Sequence, residues 1–266
     1  MKRSTLLLLA LGLLLTGGAG AQQGARINDI PRLANGKPNF SGVWQALTTA
    51  NWNVLTHGAS AGPPEYGTLL ATPPGYGIVE GDAIPYLPAA AEQQRRNYEN
   101  RFKEDPELKC YMPGVPRANY LPYPLQIFHS DGHLLIAYQF AGAARIVNLD
   151  APQPSAIDSW LGISNARWDG DTLVVEVSGF NGMAWLDRAG NHSSAALKVV
   201  ERYTLAGPDA IDYSATLEDA QTFSRPWTMR FRLVRNPNPQ EHLLEFKCVP
   251  FTEQLLYGDL YKPPPK

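Results

Sequence analysis

Ile211-Asp212-Tyr213-Ser214-Ala215-Thr216-Leu217-Glu218-Asp219 is the stretch on which the fold turns. Successive side chains of an extended chain point to opposite faces, so Ile211, Tyr213, Ala215 and Leu217 share a dry face and Asp212, Ser214, Thr216 and Glu218 a wet one. Thr228 to Val234 repeats the pattern, with Met229, Phe231 and Leu233 against Arg230 and Arg232. Working outward, extended runs are expected at 125–128, 134–140, 145–149, 163–168, 172–178, 197–205 and 243–248. Turn signals separate them at Asp131-Gly132, Asp169-Gly170-Asp171, Gly207-Pro208-Asp209 and Asn236-Pro237-Asn238-Pro239. No strand–helix–strand alternation and no repeat period interrupts this series, which argues against a parallel α/β fold, a propeller or a solenoid. Sheets dry on one side close most economically as a barrel, with a β-sandwich as the alternative. The expected fold is therefore mainly β, an antiparallel meander closed as a barrel over 110–266, with 22–266 expected to form one domain.

Upstream of it, residues 22–109 read as a wrap rich in Pro, Gly, Asn and Ala, carrying one early strand in Phe40 to Leu47 and one helix. The helix is expected over Pro88 to Lys103, which is dense in helix formers and stops at Asp105-Pro106. Its apolar face is thin, so it should lie on the barrel without entering the core. Residues 1–21 have the layout of a secretory signal peptide: Lys2 and Arg3, an apolar run from Leu6 to Leu15, and Ala19-Gly20-Ala21. That run is shorter than the ~20 residues needed to span a bilayer. Export to the periplasm or beyond follows, with no integral membrane segment in the mature chain. In such a compartment Cys110 and Cys248, the only two cysteines, are expected to pair, with two buried thiols as the alternative. Lys and Arg number 23 against 25 Asp and Glu, and no basic run follows residue 21. Nucleic acid is accordingly not an expected partner.

No phosphate loop, dinucleotide glycine pattern or His-Glu-x-x-His is present, so no cofactor and no metal is expected. His129 and His133 flank Ser130-Asp131-Gly132, and a three-residue hairpin loop there would set the two imidazoles opposite each other. A polar hairpin tip explains them better than half a metal site. The long loop Gly179 to Ala195 brings Trp185 together with Asp187 and His192, an apolar cover beside a carboxylate and an imidazole that can exchange protons. A surface loop pinned by Trp185 is the competing reading. Glu201-Arg202 lies in a strand of apolar neighbours, and a charge turned inward there requires a partner, for which Arg145 and Arg167 are the candidates; an ordinary ion pair on a solvated sheet face is the competing reading. Tyr138, in the apolar run Leu134 to Phe140, needs an internal partner for its hydroxyl. Arg117 follows the stiff Pro113-Gly114-Val115-Pro116 and could sit on a pocket rim or a surface strap.

Several motifs occur in order: Cys110-x-x-Pro113-Gly114-Val115-Pro116-Arg117, Pro122-Tyr123-Pro124-x-Gln126, Arg167-Trp168-Asp169-Gly170-Asp171-Thr172-Leu173-Val174-Val175, Glu201-Arg202, and Glu218-Asp219-x-x-x-Phe223-x-x-Pro226-Trp227. Together they resemble a large, poorly characterised family of exported bacterial proteins, over about Pro31 to Cys248. The resemblance implies export and no particular activity. The chain departs from that pattern at Tyr138-Gln139, in place of Tyr-Glu, and at Ser193-Ser194, in place of His-Ser. Gly42-Val43-Trp44 is similar to the Gly-x-Trp opening of lipocalin-like barrels, which implies a cup for an apolar small molecule.

With twelve Tyr, nine Phe and six Trp to line a pocket, the expected function is small-molecule processing. The first reading is a cofactor-free lyase or isomerase in which Asp187, His192 and Tyr138 exchange protons. Arg117, Arg145, Arg167, Arg202, Glu201 and Trp185 would contact a substrate that is apolar or aromatic, with or without a carboxylate. The rival is a non-catalytic periplasmic carrier for a hydrophobic small molecule. Oligomeric state is left open by the sequence.

Overall fold

The computed structural model describes residues 30–64, 70–238, 240–252 and 255. The expected signal segment lies outside these residues. Nine strands run in chain order: β1 (Gly42–Ala46), β2 (Leu125–Ser130), β3 (His133–Tyr138), β4 (Ala144–Asn148), β5 (Ile163–Asp169), β6 (Thr172–Ser178), β7 (Lys198–Gly207), β8 (Ala210–Glu218) and β9 (Trp227–Arg235). They form a closed, lipocalin-like barrel in which each strand neighbours the next and β1 seals against β9 through Trp44↔Arg235, Gln45↔Val234 and Ala46↔Leu233. The sandwich alternative falls away. So does a barrel confined to 110–266, because closure requires β1 from inside the N-terminal wrap.

The alternation read from the sequence sets the faces. In β7 the residues Val199, Glu201, Tyr203 and Leu205 point inward and Lys198, Val200 and Arg202 outward; β8 turns Ile211, Tyr213, Ala215 and Leu217 to the same interior. Trp44 has no exposed surface and donates its indole N–H to Phe40 O at 2.8 Å, which satisfies the one polar atom that its burial would strand. The Arg235 guanidinium lies 4.1 Å from the Trp44 ring and donates to Ser41 O, closing that end. Burying an aromatic of this size contributes on the order of 3 kcal/mol from area alone.

Two features of the strand series differ from expectation. The β4–β5 pairing is parallel, and its register covers only Val147↔Ser164 and Asn148↔Asn165. The connection 149–162 crosses back before β5 begins, as a parallel neighbour requires, and Gly162 (φ +64°) makes the final bend where a Cβ would stand 2.6 Å from Ser178 O. Residues 243–248 form no strand. With β1 on β9 the ring has no edge left to extend, and the segment is instead held by the Cys110–Cys248 disulfide, whose Cα atoms are 5.6 Å apart, and by Phe246 against Tyr123 and Phe140.

The helix α1 (Pro88–Glu104) starts on Pro88 at its first turn and buries only Ala90 and Asn97. Gln94 and Asn97 dock it by donating to the carbonyls of Ala189 and Gly190. Among the described residues no helix is long and apolar enough to cross a membrane. Pro113 to Leu121 is neither a rim nor a strap: every residue from Pro113 to Leu121 is buried, and Asn119 and Tyr120 plug the barrel interior.

Candidate functional site

Glu201 stands at the centre of the barrel with no exposed surface. Its Oε1 accepts from Asn119 Nδ2 (2.8 Å), Tyr203 Oη (2.9 Å) and Tyr213 Oη (2.8 Å), and its Oε2 from Arg145 Nη2 (2.8 Å). Each donor comes from a different place for a local reason. Tyr203 lies two residues along β7 and therefore on the same face, Tyr213 is its direct cross-strand partner on β8, Arg145 is an inward residue of β4, and Asn119 hangs from the plug. Tyr138 joins by donating to Asn119 Oδ1 at 2.9 Å. The interior partner of Glu201 is thus Arg145 and not Arg167.

Burial works against the charge on Arg145, and Glu201 more than restores it, holding the guanidinium well above its ordinary value. Burial pushes the Tyr203 and Tyr213 hydroxyls far up, and the neighbouring Glu201 charge adds to this, so both are neutral hydrogen-bond donors. Tyr138 is raised in the same way, by burial first. Arg145 donates also to Tyr203 Oη at 3.0 Å, yet its Nε and Nη1 are buried and have no hydrogen-bond partner. An unmet guanidinium N–H in such surroundings is costly.

Those two nitrogens belong to a residue on the wall of a cleft. Because β5 pairs only with the last two residues of β4, Ala144, Arg145 and Ile146 face no ladder partner on that side. A cleft of about 860 Å³ opens at the seam, with His133, Leu135, Arg145, Ile146, Trp160 and Ile163 among its walls. It takes in both the inward Arg145 and the outward Leu135 and Ile146, as a slot through the wall must. At its rim His133 keeps Nδ1 3.2 Å from Asp131 O, so that the proton sits on Nδ1 and Nε2 carries the lone pair.

The remaining sequence candidates lie apart from this cluster. Asp187 is fully buried in its loop, where it accepts from Val54 N (2.8 Å), Ala189 N (2.9 Å), Asn191 N (3.1 Å) and Asn191 Nδ2 (2.6 Å). Burial outweighs these donors and pushes its carboxyl up to about 6. His192 pairs across the loop with Trp185, stacks on Tyr86 at 5.6 Å, and is held below its usual range by burial. Arg117 spends its donors on Asp105 (2.9 and 3.0 Å), Glu107 (2.8 Å) and Asn51 (2.9 Å), all buried. Arg167 and Arg202 are on the barrel exterior, paired with Glu176 and Asp169.

His129 and His133 are not opposite each other. A two-residue turn pairs Ser130 with His133 and His129 with Leu134, so the imidazoles fall on opposite faces, and His129 accepts from Phe40 N. Among the described residues no group of three His, Cys, Asp or Glu is arranged to hold a metal ion. Asn119 and Tyr203 were not singled out by sequence reasoning; the i+2 spacing of Tyr203 from Glu201 was the signal available for one, and nothing local marks the other. No protein-family model matches the chain, and no curated protein matches it.

Proposed function

We propose that the protein is an exported, small-molecule-processing barrel, a cofactor-free lyase or isomerase that acts by acid/base chemistry on an apolar or aromatic molecule bearing a carboxylate. The observation that carries this reading is Arg145: a buried, charged guanidinium with Nε and Nη1 unpartnered, on the wall of a cleft of mostly apolar side chains. A carboxylate oxygen brought to Nη1 gives that unmet donor a charged acceptor, a single charge-assisted hydrogen bond, while Nε points to the other side of the group. Glu201 and Tyr203 take both N–H groups of Nη2 and hold the guanidinium from behind, which leaves Nη1 to the ligand.

The body of the ligand then lies along Leu135, Ile146 and Trp160. His133 is three residues along β3 from Ile136, the cross-strand partner of Arg145, or about 10 Å by strand rise. That is the length of a carboxylate plus one ring. An imidazole with a lone pair at the far end of an anchored substrate is placed as a general base, and this gives His133 the role that the sequence assigned to His192. Tyr138, Tyr203 and Tyr213 serve as neutral donors in this reading and set the field around the anchor. The resemblance to the exported bacterial family belongs to the same proposal.

The test is to incubate the mature chain with aromatic monocarboxylates and their methyl esters, following binding by native mass spectrometry and conversion by proton NMR. The acids are expected to bind and turn over, the esters to do neither, and Arg145→Lys, which keeps the charge without the planar fork, to weaken the acids by about tenfold or more. Acids held without any product would make the protein a carrier, and equal binding of acids and esters would remove Arg145 from the site.

A further inference from the structure

A second cavity, of about 160 Å³, lies between α1 and the N-terminal wrap, sharing no wall residue with the β4–β5 cleft. Its aromatic walls are Trp52 on one side and Tyr98 and Phe102, one helical turn apart on α1, on the other. Between the last two sits Arg101, its guanidinium 3.9 Å from the Tyr98 ring and 4.2 Å from that of Phe102, with Nη1 donating to Tyr98 O at 2.7 Å. Among the described residues no carboxylate pairs with Arg101. Asp105, which also borders the cavity, has both oxygens committed to Arg117.

His57 supplies the other polar group. Its Nδ1 is 2.7 Å from Leu55 O, a group that only accepts, so Nδ1 holds the proton and Nε2 presents a lone pair. That Nε2 is buried and has no hydrogen-bond partner. The ring is fixed from behind, since a Cβ on Gly75 would stand 2.9 Å from its Cε1 and the two backbones are bridged. The cavity therefore offers flat aromatic walls, a cation lacking a counter-ion, and an acceptor lacking a donor.

We infer that this cavity is a second binding site, for a single-ring aromatic carboxylate that also carries a hydroxyl. The carboxylate meets Arg101, the ring packs against Trp52 and Phe102, and the hydroxyl donates to His57 Nε2. Stacked guanidinium groups retain full capacity for an in-plane anion, which makes the Arg101 arrangement a suitable anchor. The volume suits one ring with small substituents.

The probe is para-hydroxybenzoate, titrated into the mature chain by calorimetry, with benzoate and para-hydroxybenzamide as comparisons. Because the β4–β5 cleft is itself expected to hold aromatic acids, the titrations are run on Arg145→Lys, the variant that disables it, and the expected result is binding in that background that weakens about tenfold when Arg101→Gln is added. In that background benzoate should bind several-fold more weakly than para-hydroxybenzoate, and the two should become equal once His57→Phe is added. Arg101 is half-exposed on a helix and Gln is a good helix former, so that variant keeps the fold. Binding lost in Arg145→Lys and retained in Arg101→Gln would move the ligand to the β4–β5 cleft and overturn the inference. No heat at millimolar probe, or equal affinity for the amide, would overturn it as well.

Discussion

Arg145 Nη2 donates to Glu201 Oε2 at 2.8 Å in the middle of the barrel, with the two side chains 3 % and 0 % exposed. Removing one member of a buried pair strands the other charge, at a typical cost of about 3–5 kcal/mol. Arg145→Met and Glu201→Gln are each expected to lower stability by that amount. The double variant should cost less than their sum, because neither charge is then left alone. Urea midpoints of the four proteins check this, and strict additivity would show that the pair is not coupled.

Glu107 makes the opposite kind of prediction, one of acid lability. Burial alone would raise its carboxyl, but Arg188 and Arg117 outweigh burial and bring it down to about 2. A folded value below the ordinary 4.5 contributes stability that is present above pH 4.5 and lost as pH falls towards 2. The contribution is about 3 kcal/mol at 1.36 kcal/mol per pH unit. Stability should drop between pH 4.5 and 2 in the native protein, and the drop should be smaller by that amount in Glu107→Gln.

The disulfide joins positions 138 residues apart. Closing a loop of this size in the unfolded chain is worth about 5 kcal/mol on the chain-entropy account. Replacing both Cys110 and Cys248 by Ala should lower Tm by roughly 10–20 °C for a chain of this length. Differential scanning calorimetry reads it directly, and a shift of a few degrees would mean that the segment around Cys248 is held mainly by Phe246.

The barrel was legible because its strands alternate. Ile211 to Leu217 declares its inner face residue by residue, and Ile211, Tyr213, Ala215 and Leu217 are all buried in the fold, although Ser214 of the outer set is buried too. The run 243–248 has the same local character and yet forms no strand, because the claim on the free edge is settled by β1, far earlier in the chain. Glu201 was legible only in part: alternation allowed either a charge turned inward that needs a cation or an ion pair on a solvated face, and burial among Val199 and Tyr203 decides for the first. That the cation is Arg145, and that the plug residue Asn119 completes the shell, depends on where the chain re-enters the barrel, which no periodicity encodes. Arg117 misled for the same reason: Asp105 and Glu107 are close in sequence, but Asn51 and the burial of all four come from the tertiary arrangement. The cleft was hidden because it arises from a pairing that stops after two residues.

Asp187 reverses the pH argument made for Glu107. Burial raises its carboxyl to about 6 in the folded state against an ordinary 3.8, despite four N–H donors. The native state then takes up a proton that the unfolded chain does not hold between pH 3.8 and 6, so stability falls as pH rises through that window, by about 3 kcal/mol. Asp187→Asn cannot ionise and should remove this limb, while itself costing about 1–3 kcal/mol because its amide turns an N–H towards the donors of Val54 or Ala189. Glu107 acts between pH 2 and 4.5 and Asp187 between pH 3.8 and 6, so the two together place a stability maximum near pH 4. Urea unfolding at half-unit steps from pH 2 to 8 should show the rise, the maximum and the decline, with Glu107→Gln flattening the first and Asp187→Asn the last. A native profile that climbs monotonically to pH 7 would mean that the donors to Asp187 prevail over its burial.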